Sequence, residues 1–140
     1  MTPDQNKNLV QQMFTEVING KNLDAAGKYI APGFVNHGIP NATTGPDGFK
    51  EIVKQFTDGF PDMHVYQESL IAEGDTVVTR GYWTGTHKGN FMGIPGTGKQ
   101  VRADYIDVWK IQNDKATENW VQMDMVGVMQ QLGAMPAPSA

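Results

Sequence analysis

Residues 101–124 read VRADYIDVWKIQNDKATENWVQMD, two runs of alternating side chains, 101–112 and 115–124, on either side of Asn113-Asp114. A period of two held this long predicts strands, and the Asn-Asp pair predicts the turn that joins them as a hairpin. In the first strand one face carries Ala103, Tyr105, Asp107, Trp109 and Ile111; the other carries Asp104, Ile106, Val108 and Lys110. The first set is the more apolar and is predicted to look inward. It nevertheless contains a carboxylate. Asp107 is either satisfied by an arginine or by backbone donors, as buried charges normally are, or it is desolvated, which raises a carboxyl from its free value of about 3.9 toward that of a useful base. The turn sets its neighbour: a two-residue loop pairs Asp107 with Trp120, whereas a three-residue loop with a bulge pairs it with Asn119 and places Tyr105 beside Val121.

Upstream, the strand pattern recurs over 63–71 and 76–86 around Glu73-Gly74-Asp75, a second hairpin. The first third of the chain has helical spacing instead. Thr2-Pro3-Asp4-Gln5 has the form of a capping box, and Leu9, Val10, Met13, Phe14, Val17 and Ile18 follow at intervals of three and four until Asn19-Gly20. Asn22 is predicted to cap a shorter helix carrying Leu23, Ala26, Tyr29 and Ile30, ending before Pro32-Gly33. Thr44-Gly45-Pro46 opens a third, striped by Phe49, Ile52, Val53 and Phe56. A closing helix, DMVGVMQQLG, precedes a flexible tail at 134–140. Helices first and long strands afterwards predict an α+β fold in one domain, 1–133, with the N-terminal helices packed on the concave face of a curved antiparallel sheet that forms a cone. Asp107 would line its floor.

Composition removes several functions. A chain of 140 residues without cysteine has no disulfides, thiolate nucleophile or cysteine-held metal, and a net charge of −4 with interspersed signs offers no basic stripe for nucleic acid. No apolar run approaches the roughly 20 residues that span a bilayer, and the polar start lacks a signal-peptide core, so no membrane partner and a cytoplasmic location are expected. GIPGTGKQ, residues 93–100, nearly matches a phosphate-binding loop, but Gln100 stands where a hydroxyl should reach Mg²⁺, and a strand follows where a helix should begin. His37, His64 and His87 lack metal-ligand spacing, and neither Ser69 nor Ser139 sits in a nucleophile elbow. What remains is Asp, His, Tyr and Asn, an inventory for proton transfer without metal or other cofactor.

Three further groups bear on Asp107. Arg80, in a strand expected beside this hairpin, would hold the carboxylate ionised if it points inward and leave it desolvated and more basic if it points outward. Asn36 and His37 point opposite ways if 34–38 is extended, so one of them lines the cavity. Trp83, Trp109, Trp120, Met123 and Met92 are candidate apolar walls for a small hydrophobic ligand.

The segments APGFVNHG, GPDGFKEIV, FPDMHV, AEGDTVVTRGYWTGTHKGNFMGIPGTGKQV and ENWVQMDMVGVMQQLG, in this order and spacing, resemble the SnoaL-like polyketide cyclase and ester cyclase family, which has the NTF2-like cone fold. The resemblance covers nearly the whole chain. It implies cofactor-free aldol ring closure on a polyaromatic methyl ester with an aspartate as general acid and base, and a homo-oligomer, dimer or tetramer, built on the open sheet. Aligned on the QQLG ending, the family's aspartate falls at Val121, and its polar pocket positions fall at Asn36, Tyr105 and Asp107. Position 107 here holds a carboxylate where the cyclases carry histidine. The resemblance also implies that Asn119, Val121, Tyr105 and Asp107 share the pocket face.

Overall fold

A computed structural model describes residues 1–39 and 41–136, so the last four residues of the expected tail lie outside the described part. Helix α1, Pro3–Met13, begins as its sequence dictates: Thr2 accepts from the Gln5 amide, and the Gln5 side chain accepts from the Thr2 amide at 2.8 Å. Removing the hydroxyl orphans a donor, so Thr2→Ala is expected to lower stability by about 1 kcal/mol, read as a shifted denaturant midpoint at unchanged slope. Past Met13 the helix widens into a π-helical turn, Phe14–Asn19. A short 3₁₀ turn at Leu23–Ala25 and one turn of α2, Ala26–Tyr29, follow; Asn22 makes no capping bond to them.

The second helix stops sooner than its apolar residues suggested. From Ile30 the chain is extended as β1, Ile30–Asn36, with Ile30, Phe34 and Asn36 buried. Pro32 is accommodated because β1 is an edge strand, where a missing N–H costs no ladder bond. Helix α3, Gly45–Gly59, then leads to β2, His64–Glu73; β3, Thr76–Thr86; β4, Gln100–Gln112; β5, Lys115–Met123; and α4, Met125–Gln131, capped by the Asp124 side chain.

The sheet order is β1-β5-β4-β3-β2. This corrects the expected cone in two respects. The sheet is open and does not curl round on itself, since β1 and β2 lie at opposite edges and do not pair. Nor is it wholly antiparallel, because β1 runs parallel to β5. The mixed α+β character stands. Burial alternates strictly along β3 and β4, so one face of the sheet is covered and the other faces solvent. Helix α1 packs on β2 and β3, and α3 on β1. Between layers lies an aromatic core in which Trp109 meets Phe14, Phe34 and Phe49 at ring separations of 6.0 to 6.1 Å, and Trp83 meets Phe60 at 5.0 Å.

The β4–β5 register follows neither alternative read from the turn. Asn113 and Asp114 both have positive φ, 51° and 64°, so the loop has the two residues of a type I′ turn. Two residues later the pairing slips: Ile111 faces Ala116 but Lys110 faces Glu118, leaving Thr117 as a bulge whose hydroxyl donates to the Lys110 carbonyl at 3.3 Å. The slip carries Asp107 opposite Val121 and Tyr105 opposite Met123.

Candidate active site

A cavity of about 90 Å³ lies between the covered face of the sheet and the helices. Its floor is made by the inward positions of all five strands, Val65 from β2, Trp83 from β3, Tyr105, Asp107 and Trp109 from β4, Asn119, Val121 and Met123 from β5, and Asn36 from β1. Its roof is the apolar stripes of the helices, Phe14 and Ile18 with Phe49, Ile52, Val53 and Phe56. Larger grooves elsewhere are shallow and lined mostly by polar residues, running over the surface near Asp62 and Arg102 or near Thr15 and Glu16. The apolar hollow between sheet and helices is the better ligand site because its lining is almost wholly apolar and holds the buried carboxyl of Asp107.

Asp107 is 6 % exposed, and its Oδ1 is buried without a hydrogen-bond partner. Desolvation pushes its carboxyl up to about 8, partly offset by the Trp109 indole N–H nearby. That N–H falls short of hydrogen-bond geometry and is itself unpaired, as is the indole nitrogen of Trp83. Among the described residues no cation pairs with the carboxyl. Arg80 lies on the solvent side of β3, donating from Nη2 to Ser69 Oγ at 3.1 Å and pairing with Glu68 at 3.6 Å. Of the two orientations open to Arg80, this is the one that leaves Asp107 desolvated.

The polar neighbours are held firmly. Asn36 Oδ1 accepts from the Gly38 amide at 2.9 Å, which fixes the other end of its amide as a donor; that end gives one hydrogen to Asn119 Oδ1 at 3.4 Å. Asn119 in turn donates to the Val108 carbonyl at 3.1 Å. Tyr105 is 5 % exposed, its hydroxyl 3.3 Å from Thr79 Oγ1, and burial raises its phenol to about 12 against the opposing pull of that hydrogen bond. It therefore stays protonated across the physiological range.

Of the residues singled out from sequence, Asn36, Trp83, Tyr105, Asp107, Trp109, Asn119, Val121 and Met123 come together at the cavity. His37, Arg80 and Trp120 do not. Strand alternation turns His37 and Trp120 to the open face, where their rings stack at 4.6 Å and His37 Nε2 meets Glu118 at 2.9 Å. Met92 is 70 % exposed on the loop between β3 and β4. The roof residues and Thr79 were not singled out as site residues. The signal for the roof was present in the helical stripes, but periodicity marks a buried face without telling a solid contact from a hollow. Among the described residues no group of three or more His, Asp or Glu is gathered to hold a metal, and no helix is long and apolar enough to cross a membrane.

A buried carboxyl on the covered face of a mixed sheet, under a helical roof and beside an apolar hollow, defines an α+β pocket protein of NTF2-like topology. The sequence matches the family of SnoaL-like polyketide cyclases over residues 8–132, and the chain belongs to that family. It is 27 % identical over 130 residues to the aklanonic acid methyl ester cyclase DnrD of Streptomyces peucetius, covering 89 % of this chain and 88 % of that one. A candidate polyketide cyclase of Acidithiobacillus ferrooxidans superposes with a TM-score of 0.82 at 34 % identity, over 93 % of this chain and 95 % of its own. AclR of Streptomyces galilaeus, a candidate hydroxylase, superposes with a TM-score of 0.87 at 26 % identity, over 99 % and 87 % respectively.

Proposed function

We propose that the protein catalyses cofactor-independent, aldol-type proton transfer on a small hydrophobic carbonyl compound, with Asp107 as the acid and base. One observation carries the reading: an unpaired carboxyl, poised near 8 by burial, opens on a pocket of apolar walls. As carboxylate, Asp107 takes a proton from the carbon beside a carbonyl. The negative charge moves to the carbonyl oxygen, where the Tyr105 hydroxyl and the free N–H of Asn36 stabilise it. The enolate carbon attacks a second carbonyl of the same molecule, and the new alkoxide recovers the proton from Asp107. Trp83, Trp109, Val121 and Met123 supply apolar contact to the rest of the substrate.

The pairing of β4 with β5 supports this reading. In the resemblance to the cyclases the aspartate position falls at Val121, and Asp107 is its direct cross-strand neighbour. Side chains so paired sit about 5 Å apart, so the carboxylate has moved by one step across the ladder and still looks into the same pocket. The cyclase DnrD is named for the methyl ester of aklanonic acid; an apolar ester that also carries a ketone is the substrate class proposed here.

The test is hydrogen–deuterium exchange at the carbon beside the carbonyl of aryl keto esters, followed by NMR. Exchange is expected to rise with pH through about 8, as the base form accumulates. Asp107→Asn is expected to slow it on the order of 10²-fold. Undiminished exchange in that variant removes Asp107 from the reaction. A non-catalytic ligand carrier is the second reading, favoured by valine at position 121; a small molecule retained unaltered through native mass spectrometry, together with no exchange on any ketone, supports it.

A further inference from the structure

Behind Tyr105 a chain of hydrogen bonds runs away from the cavity. Gln67 Nε2 donates to Thr79 Oγ1 at 3.3 Å, and Thr79 Oγ1 lies 3.3 Å from the Tyr105 hydroxyl. Thr79 is fully buried, and among the described residues its hydroxyl has no other hydrogen-bond partner. The chain has a direction. An amide NH₂ only donates, so Thr79 must use a lone pair to receive Gln67, and its single hydrogen is left for the oxygen of Tyr105. Tyr105 then accepts from behind, and its own hydrogen is free to point forward.

We propose that Gln67 and Thr79 are positioning residues that set this direction, so that the Tyr105 hydroxyl is held as a hydrogen-bond donor aimed into the cavity at the carbonyl oxygen of the ligand. This rests on the pocket being a carbonyl site, as above. The strand geometry is built for it. Along β2 the inward positions are Val65 and Gln67; the register then slips between Gln67 and Ser69, and Leu70 and Ala72 continue inward. The bulge requires a close approach by β3: a Cβ at position 81 would stand 1.8 Å from the Tyr66 carbonyl oxygen, so only glycine fits at Gly81. Aligned donors polarise one another in a medium shielded from water, which makes the last hydrogen of the series the stronger donor. Were the direction reversed, the phenol would donate backward and show the ligand only lone pairs, which repel an enolate.

The experiment reads the carbonyl stretch of acetophenone, ¹³C-labelled at the carbonyl and bound to the whole protein, by difference infrared spectroscopy; occupancy is measured separately by quenching of tryptophan fluorescence. In the wild type the bound band is expected below that of acetophenone in hydrocarbon, and Tyr105→Phe is expected to return it toward the hydrocarbon value. Gln67→Glu turns the chain round, because a carboxylate only accepts. Near neutral pH the downshift is expected to vanish although Tyr105 is intact, and to return on acidifying through the glutamate range at about pH 4, where the neutral acid donates again. Gln67→Leu, which removes the donor without imposing the reverse, is expected to split the band into bonded and free populations, and Thr79→Ser to leave it as in the wild type. Should Gln67→Glu not fold, Gln67→Leu and Thr79→Ser carry the test. A bound probe whose band is indifferent to Gln67, or to Tyr105, overturns the proposal alone. Acetophenone that does not quench at any concentration overturns the carbonyl-site reading, and this proposal with it.

Discussion

Asp107→Asn is expected to match the wild type in stability below about pH 4 and to exceed it by several kcal/mol near pH 9. The sign follows from proton linkage. The folded carboxyl titrates near 8, far above its ordinary value, because burial penalises its charged form. Below about pH 4 it is neutral in both folded and unfolded chains and contributes no pH dependence. Between about pH 4 and 8 the unfolded chain gives up the proton while the folded chain keeps it, so stability falls as pH rises, by at most about 1.4 kcal/mol per pH unit. Above 8 both are ionised and the loss is complete. Asparagine has nearly the same shape and no charge to desolvate, so its curve lacks this slope. The measurement is thermal or denaturant unfolding of both proteins across the window. Every other ionisable group is common to the two proteins, so the difference between curves isolates position 107. Parallel curves would show that the carboxyl is solvated. A residue that weakens the fold in its ionised form, in a pocket that gains nothing structural from it, is the usual mark of a group retained for chemistry.

Trp109→Ala is expected to cost about 3–5 kcal/mol and to lower the thermal midpoint on the order of 10 °C. Trp109 is 2 % exposed and is the ring on which three separate elements converge: Phe14 after α1, Phe34 on β1 and Phe49 on α3. Truncation leaves a hole between layers that stiff strands cannot collapse, merging with the existing cavity. Trp120→Ala is the control. That indole is 41 % exposed and stacks only on His37, so its removal should stay within about 1 kcal/mol. Urea denaturation compares the two. Equal losses would mean that Trp109 is not the keystone of the layer contact.

Much of this was legible where the signal is local. The cap at Thr2 and Gln5, the third helix from Gly45 and both hairpins depend on residues a few positions apart, and each formed where its sequence placed it. The partners of Asp107 were less so. Its inward direction follows from alternation, but its neighbour across the ladder depends on the bulge at Thr117, a threonine like any other in a strand. The end of the second helix was misjudged for a similar reason: Ile30 fits a helical stripe and an edge strand equally, and only the pairing beside β5 decides. Closure of the sheet was beyond reach of periodicity, since it is set by whether the first and last strands of the ladder meet.

An open sheet has two unpaired borders, and a border of free N–H and C=O groups is a template on which other chains can polymerise. Both borders here are blunted. On one, Pro32 withholds a donor in mid-strand and the register is irregular between Ile30 and Val35; on the other, the bulge at Gln67–Ser69 bends the run that a neighbour would have to match. The same kink that follows Gln67, the donor to Thr79, thus also guards the molecule against fibrous self-assembly, so straightening it would endanger solubility as well as the site.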